Sequence, residues 1–166
     1  MSLIFRIVNE KDADIIYLNG EINEDAELPL KEVIENVGVS CVLNLGDISN
    51  FNAKSVHFWI GFIRKLESKC NVVLIDECPK EFIFHLNYIP SLKGKAQIRS
   101  LYANYICSNC DREKLELYTL GKNLPKNPSS KTLPKVVCSH CKAVMEMEEV
   151  EEEYFECIQK QLRETT

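Results

Sequence analysis

The chain has 166 residues, 45% of them hydrophobic, and a formal net charge of −5. That length supports one ordinary domain with a small appendage, and the hydrophobic share excludes a disordered tail. The acidic balance argues against a surface built for nucleic acid.

The opening residues, Met1 to Val8, form an apolar run broken by Arg6, without signal-peptide architecture. No stretch approaches the ~20 apolar residues of a membrane span. A cytoplasmic location is expected, where thiols stay reduced. Leu3 to Val8 and Ala13 to Leu18 read as two strands joined by the turn residues Asn9 to Asp12. Gly20 should close the second strand. A helix is expected from near Asp25, with Leu30, Val33, Ile34 and Val37 at helical spacing, Pro29 in its first turn and Gly38 at its end. Cys41 to Leu45 is a compact buried strand, followed by a polar loop from Ile48 to Lys54. Ser55 is a candidate N-cap for a second helix whose stripe is Val56, Trp59, Ile60, Ile63 and Leu66. Phe58 and Phe62 lie four apart on its flank, so its apolar surface exceeds one stripe.

Asn71 to Ile75 reads as a fully buried strand, and Pro79 as the first residue of a third helix with Phe82, Ile83, Leu86 and Ile89 inward. Ile98 to Tyr102 is a further strand that runs through Tyr105 into Cys107 with no flexible linker. Leu115 to Leu120 is strand-like, and residues 121–135 form a loop expected to be mobile, with three prolines, four lysines and no acidic residue. Ala143, Met145 and Met147 then alternate with Val144, Glu146 and Glu148, which is strand patterning. A terminal amphipathic helix follows, opened by Glu151, Glu152 and Glu153 and carrying Val150, Tyr154, Ile158 and Leu162 every fourth residue. Strands alternating with helices over the first hundred residues imply an α/β domain with a mixed, largely parallel sheet. The expected division is 1–104 for that domain, 105–150 for a ribbon and 151–166 for the helix.

Of eight cysteines, four form C-x2-C-x27-C-x2-C: Cys107, Cys110, Cys138 and Cys141. Two thiolates on a tight turn grip a metal from one side, and a second such turn completes a tetrahedron with Zn–S bonds of about 2.3 Å. One structural zinc per chain is the expectation. His140 is read as a turn residue, since the cysteine pairs already have the required spacing. Cys41, Cys70, Cys78 and Cys157 lie in apolar runs and read as core residues. A redox C-x-x-C usually opens a helix, whereas strand-like sequence follows Cys110.

Leu43 to Leu45 followed by Asp47, then Phe51-Asn52 and Ser55-Val56 opening a helix, resembles the STAS domain of anti-sigma-factor antagonists and sulfate-transporter tails. The order of elements from Leu3 to about Tyr102 is similar to that fold. The chain looks most like bacterial STAS-like proteins that continue into a C-terminal zinc ribbon. Asn52, Val56 and Trp59-Ile60 stand where those proteins have recurring Asn, Val and Trp residues, and Arg99 to Ala103 followed by Cys107 also matches. The resemblance implies a protein partner, such as a serine-kinase-type anti-sigma factor, released when a serine in that turn is phosphorylated. Ala53 and Lys54 stand at the two serine positions and Ser55 at the following glycine, which removes the usual acceptors.

No Gly-rich phosphate loop is present and no Ser/His/Asp set is indicated. The expectation is a non-enzymatic regulatory or adaptor protein binding a partner through Asn52, Lys54, Ser55, His57, Phe58 and Phe62. A homo-oligomer is left open. The alternative is a nucleic-acid-binding zinc ribbon that uses Lys122, Lys126, Lys131 and Lys135 on the phosphate backbone, although that loop has no aromatic residue for base stacking.

Overall fold

The computed structural model describes residues 2–164, so Met1 and the last two positions of the expected terminal helix lie outside the described residues. Strands β1 (Ile4–Asn9) and β2 (Asp14–Ile22) form an antiparallel hairpin. Its turn is closed by Asn9 Nδ2 donating to Asp14 at 2.7 Å. Helix α1 (Glu27–Asn36), strand β3 (Ser40–Phe51), helix α2 (Val56–Lys69), strand β4 (Val72–Asp76), helix α3 (Lys80–Tyr88) and strand β5 (Gln97–Ile98) follow. The five strands lie in chain order, with β2 to β5 mutually parallel and β1 antiparallel. The mixed, largely parallel α/β sheet read from the sequence is therefore present. Each parallel step carries one helix, and right-handed crossovers in one direction place all three helices on one face. That face holds an aromatic core in which Phe51, Trp59 and Phe82 meet edge-on at 5.5–5.8 Å. The buried Trp59 indole finds its partner in the Leu92 carbonyl at 2.8 Å.

Four sequence expectations need correction here. First, Gly20 does not end β2; the strand runs on to Ile22. Gly20 has φ +111°, and a Cβ there would sit 2.5 Å from the Ser2 carbonyl, so the backbone approach requires glycine. Second, β3 does not stop at Leu45. Its continuation pairs with the second half of β2, out to Phe51 opposite Ile22. Ile48 and Phe51 reach the core while Ser49 and Asn50 face solvent, which disguised this stretch as a polar loop. Third, Pro79 caps α3 from outside, with extended ψ, so the helix begins at Lys80, one residue later than expected. Fourth, the strand expected over Ile98 to Tyr102 changes sheets at Arg99.

Strand β6 (Ser100–Ile106) centres a second sheet between β7 (Glu113–Thr119) and the short β8 (Glu146–Met147), both antiparallel to it. The chain stays bonded to the first sheet as it enters the second. Arg99 N–H donates to Ile75, Cys78 N–H to Ser100 and Tyr102 N–H to Cys78, at 2.8, 3.1 and 2.9 Å. The expected rigid coupling thus has a ladder behind it.

The terminal helix is two pieces, α4 (Glu151–Tyr154) and α5 (Glu156–Glu164), broken at the fully buried Phe155, whose ring stands edge-on to Tyr118 at 5.7 Å. It is docked on both sheets. The Tyr154 hydroxyl donates to the Tyr102 carbonyl. Asn87 donates to the Glu153 and Tyr154 carbonyls and accepts from Cys157 N–H. The start of the 121–135 loop is anchored: Leu124 is buried, and Asn123 bonds the Thr119 N–H and the Leu117 carbonyl. One hydrophobic cluster runs from Leu3 to Ile158.

Candidate metal centre and partner surface

The turn between the end of β6 and the start of β7, and a turn just before β8, are brought face to face. In the first, Cys107 N–H donates to the Arg112 carbonyl at 2.9 Å and Asp111 N–H to the Cys107 carbonyl at 2.8 Å. In the second, Cys138 N–H donates to Ala143 at 2.9 Å and Lys142 N–H to Cys138 at 3.1 Å. Asp111 and Lys142, each just after the second cysteine of its pair, take positive φ of 54° and 64°. That left-handed residue turns the chain back; since neither is glycine or asparagine, composition gave no sign of it.

The four sulfurs all lie within 4.8 Å of one another, with Cys107 and Cys141 at 3.4 Å and Cys110 and Cys138 at 3.6 Å. A tetrahedron of four Zn–S bonds has edges of about 3.8 Å, so the set is of the size that a metal ion fits. The turns also set the thiols apart from one another electrostatically. Backbone N–H groups of Cys141 and His140 lower the Cys138 thiol. Asn109 and the Ala143 backbone bring Cys141 down to about 6. Cys110 is pushed up to about 12, chiefly by burial, with the neighbouring sulfurs adding. His140 is exposed and outside the set. Residues after Cys110 enter β7, not a helix, so the dipole that a redox C-x-x-C uses is missing. Cys41, Cys70, Cys78 and Cys157 are buried and free, as expected of core thiols.

The six residues expected to face a partner divide. Asn52, not Ser55, is the cap at the start of α2: its Oδ1 accepts from Lys54 N–H at 2.9 Å, and a short 3-10 turn (Ala53–Ser55) leads into the helix. Ser55 makes no cap bond, is fully buried, and its Oγ has no hydrogen-bond partner. Phe62 joins the core beside Trp59, at 5.3 Å between rings. Lys54 and His57 are exposed, and Phe58 is half-buried against the His57 ring at 3.8 Å. Between α1 and α2 lies a groove of about 170 Å³ whose lining includes His57, Phe58 and one edge of Phe62. Gly61 faces it, and a Cβ there would meet nothing within 4 Å. Asn52, Lys54 and Ser55 do not line it. The four loop lysines are exposed, and no helix among the described residues is long and apolar enough to cross a membrane.

No family model matches the chain, and no curated protein matches it. Among solved structures it is similar to an anti-sigma factor antagonist from Mycobacterium paratuberculosis, at 11% identity over 58% of this chain and 85% of that one, with a TM-score of 0.47. It is also similar to the anti-sigma factor antagonist SpoIIAA in its unphosphorylated form, at 18% identity over 43% of this chain and 71% of that one, with a TM-score of 0.33.

Proposed function

We propose that this chain is a non-enzymatic cytoplasmic adaptor that binds a protein partner through a STAS-like layer, residues 1–104. In this reading a ribbon over residues 105–150 is closed by one structural zinc, and the helical segment from Glu151 braces the two. The observation that carries the reading is the α1–α2 groove. Leu30, Ile34, Phe58 and Phe62 give it an apolar floor, and Lys31, His57 and Lys65 a polar rim, the arrangement that docking surfaces use. Gly61, in mid-helix where alanine is the better helix former, keeps the groove open. The partner, by the resemblance to antagonist STAS domains, is a signalling protein of the serine-kinase anti-sigma type. Cys107, Cys110, Cys138 and Cys141 would hold the zinc; four sulfurs leave no open position, so the ion would supply closure and no chemistry.

The test compares capture from native cytosol by the wild type, Gly61→Trp and Phe58→Ala, read by mass spectrometry with thermal melts alongside. Gly61→Trp should fill the groove and lose the partner with its melting point kept. Phe58→Ala should weaken binding by about 2 kcal/mol, roughly thirtyfold. A folded Gly61→Trp that retains every captured protein removes the groove from the interface. Steep salt-dependent retention on heparin would favour the nucleic-acid alternative instead.

A further inference from the structure

A cleft of about 640 Å³ lies away from that groove, between α3 and the turn entering α4. Its size falls within the ~300–1,000 Å³ of ligand sites, but its walls continue onto an exposed apolar surface. Phe84 and Tyr88, one helical turn apart on α3 with rings 5.3 Å from each other, are 57% and 75% exposed. Val150, across the cleft, is 56% exposed. Carboxylates surround these groups: Glu81, Glu149, Glu153 and Glu156 line the cleft against one cation, Lys80. Lys80 is already committed to Glu148 at 2.7 Å and Glu149 at 3.1 Å. The second Glu149 oxygen, Oε2, is inaccessible and has no hydrogen-bond partner.

We infer that this cleft is a second docking site, which takes a basic amphipathic segment of a partner protein. Glu156 is paired with Lys160 at 2.8 Å, but Glu81 and Glu153 have no ion pair among the described residues and select lysine or arginine, and the faces of Phe84 and Tyr88 offer cation–π contact to the same groups. A small cation within the cleft would leave the outward rings uncovered, whereas a segment with apolar residues at helical spacing covers Phe84, Tyr88 and Val150 together. An anionic lipid surface is repelled by the same carboxylates. Two copies meeting cleft to cleft repel each other as well. The basic loop of a second copy offers lysines, but its Leu124 is buried in its own core, so it lacks the anchor.

The experiment pans a displayed library of random peptides about 12 residues long, some three helical turns, on the immobilised full chain. Recovered peptides are then synthesised and titrated against soluble protein by fluorescence polarisation. The enriched sequences should interleave Lys or Arg with apolar residues and bind more weakly as salt rises. Phe84→Ser and Tyr88→Ser, both at exposed positions, should each weaken binding about tenfold with the melting point unchanged, and Glu153→Lys should weaken it as well. Gly61→Trp should leave it intact, which separates this site from the α1–α2 groove. Neutral or acidic enriched peptides, no enrichment over a blank surface, or binding that survives Phe84→Ser/Tyr88→Ser would overturn the inference. Self-association of the chain that Tyr88→Ser abolishes would assign the cleft to a second copy and overturn it too.

Discussion

Ser55 and Gln161 show opposite ways for a polar side chain to be buried. The Ser55 hydroxyl is enclosed without a partner, at a cost that removal relieves. Ser55→Ala should therefore leave stability unchanged or raise it by up to about 1 kcal/mol, while Ser55→Asp, which encloses a charge, should lose several kcal/mol in a urea melt. Enclosure also bars a kinase, and Ala53 and Lys54 carry no hydroxyl. Protein isolated from its native host should have no phosphate between Asp47 and Val56, as read by intact-mass and peptide spectra; stoichiometric phosphate on Ser55 or Ser49 would refute this. Gln161 is fully used. Its Oε1 accepts from Ile98 N–H and its Nε2 donates to the Ile98 carbonyl, both at 2.8 Å, replacing the strand that β5 lacks on its outer edge. Gln161→Ala should cost roughly 2–4 kcal/mol, the desolvation of two orphaned backbone groups. Gln161→Glu should cost more, because a carboxylate has no donor for the carbonyl. Denaturant melts together with hydrogen exchange at the Ile98 amide check both.

At the scale of elements, what the sequence disclosed was local. The C-x2-C pairs, the Trp59–Ile63–Leu66 stripe and the alternation through Met145 and Met147 each report within a few residues, and the structure has all three. What it hid depends on partners distant in the chain. Ser49 and Asn50 look like a loop until β2 supplies the register. Phe155 breaks the last helix because Tyr118 lies beneath it. Phe62 looked like a spare aromatic on the flank of α2 until the Trp59 ring was placed beside it. The same long-range packing encloses Tyr105, Tyr118 and Tyr154 and half-buries Tyr102. Burial, with a hydrogen bond to Glu77 next, pushes Tyr102 up to about 12. Burial likewise raises Tyr105, Tyr118 and Tyr154. Above pH ~10 the unfolded chain releases these protons while the folded chain keeps them, so the native state binds more protons and stability falls as pH rises. Below that pH the contribution is complete. Phenolate absorbance from the three enclosed tyrosines should therefore appear together with the loss of helical circular dichroism, above the range of free tyrosine. Their titration near pH 10 with the dichroism intact would contradict the packing described.

For the whole molecule the question is whether the cysteine cluster stabilises only its own ribbon. Structural zinc contributes roughly 10 kcal/mol or more in finger peptides that have no other core. Here Cys107 and Cys138 belong to the same hydrophobic cluster as Trp59, Tyr118 and Phe155. Strand β6 is bonded to the end of β4 at its start and to β8 near its end, and the Tyr105 and Tyr118 hydroxyls meet at 2.6 Å between β6 and β7. No hinge separates the cysteine cluster from the first sheet. Loss of the ion should therefore lower the stability of the whole chain in one transition, instead of melting the ribbon alone. Trp59 is the only tryptophan and lies in the helical layer, so its fluorescence reports on the first sheet's core and not on the cysteine turns. Elemental analysis of protein prepared without chelator should give one zinc per chain. Chelation, or Cys110→Ser, should lower the melting point by roughly ten degrees or more, with Trp59 fluorescence and circular dichroism changing at the same temperature. Substoichiometric metal would remove the zinc. A Trp59 transition unmoved by chelation while the ribbon unfolds would show that the two sheets, despite the continuous chain from β5 into β6, melt as separate units.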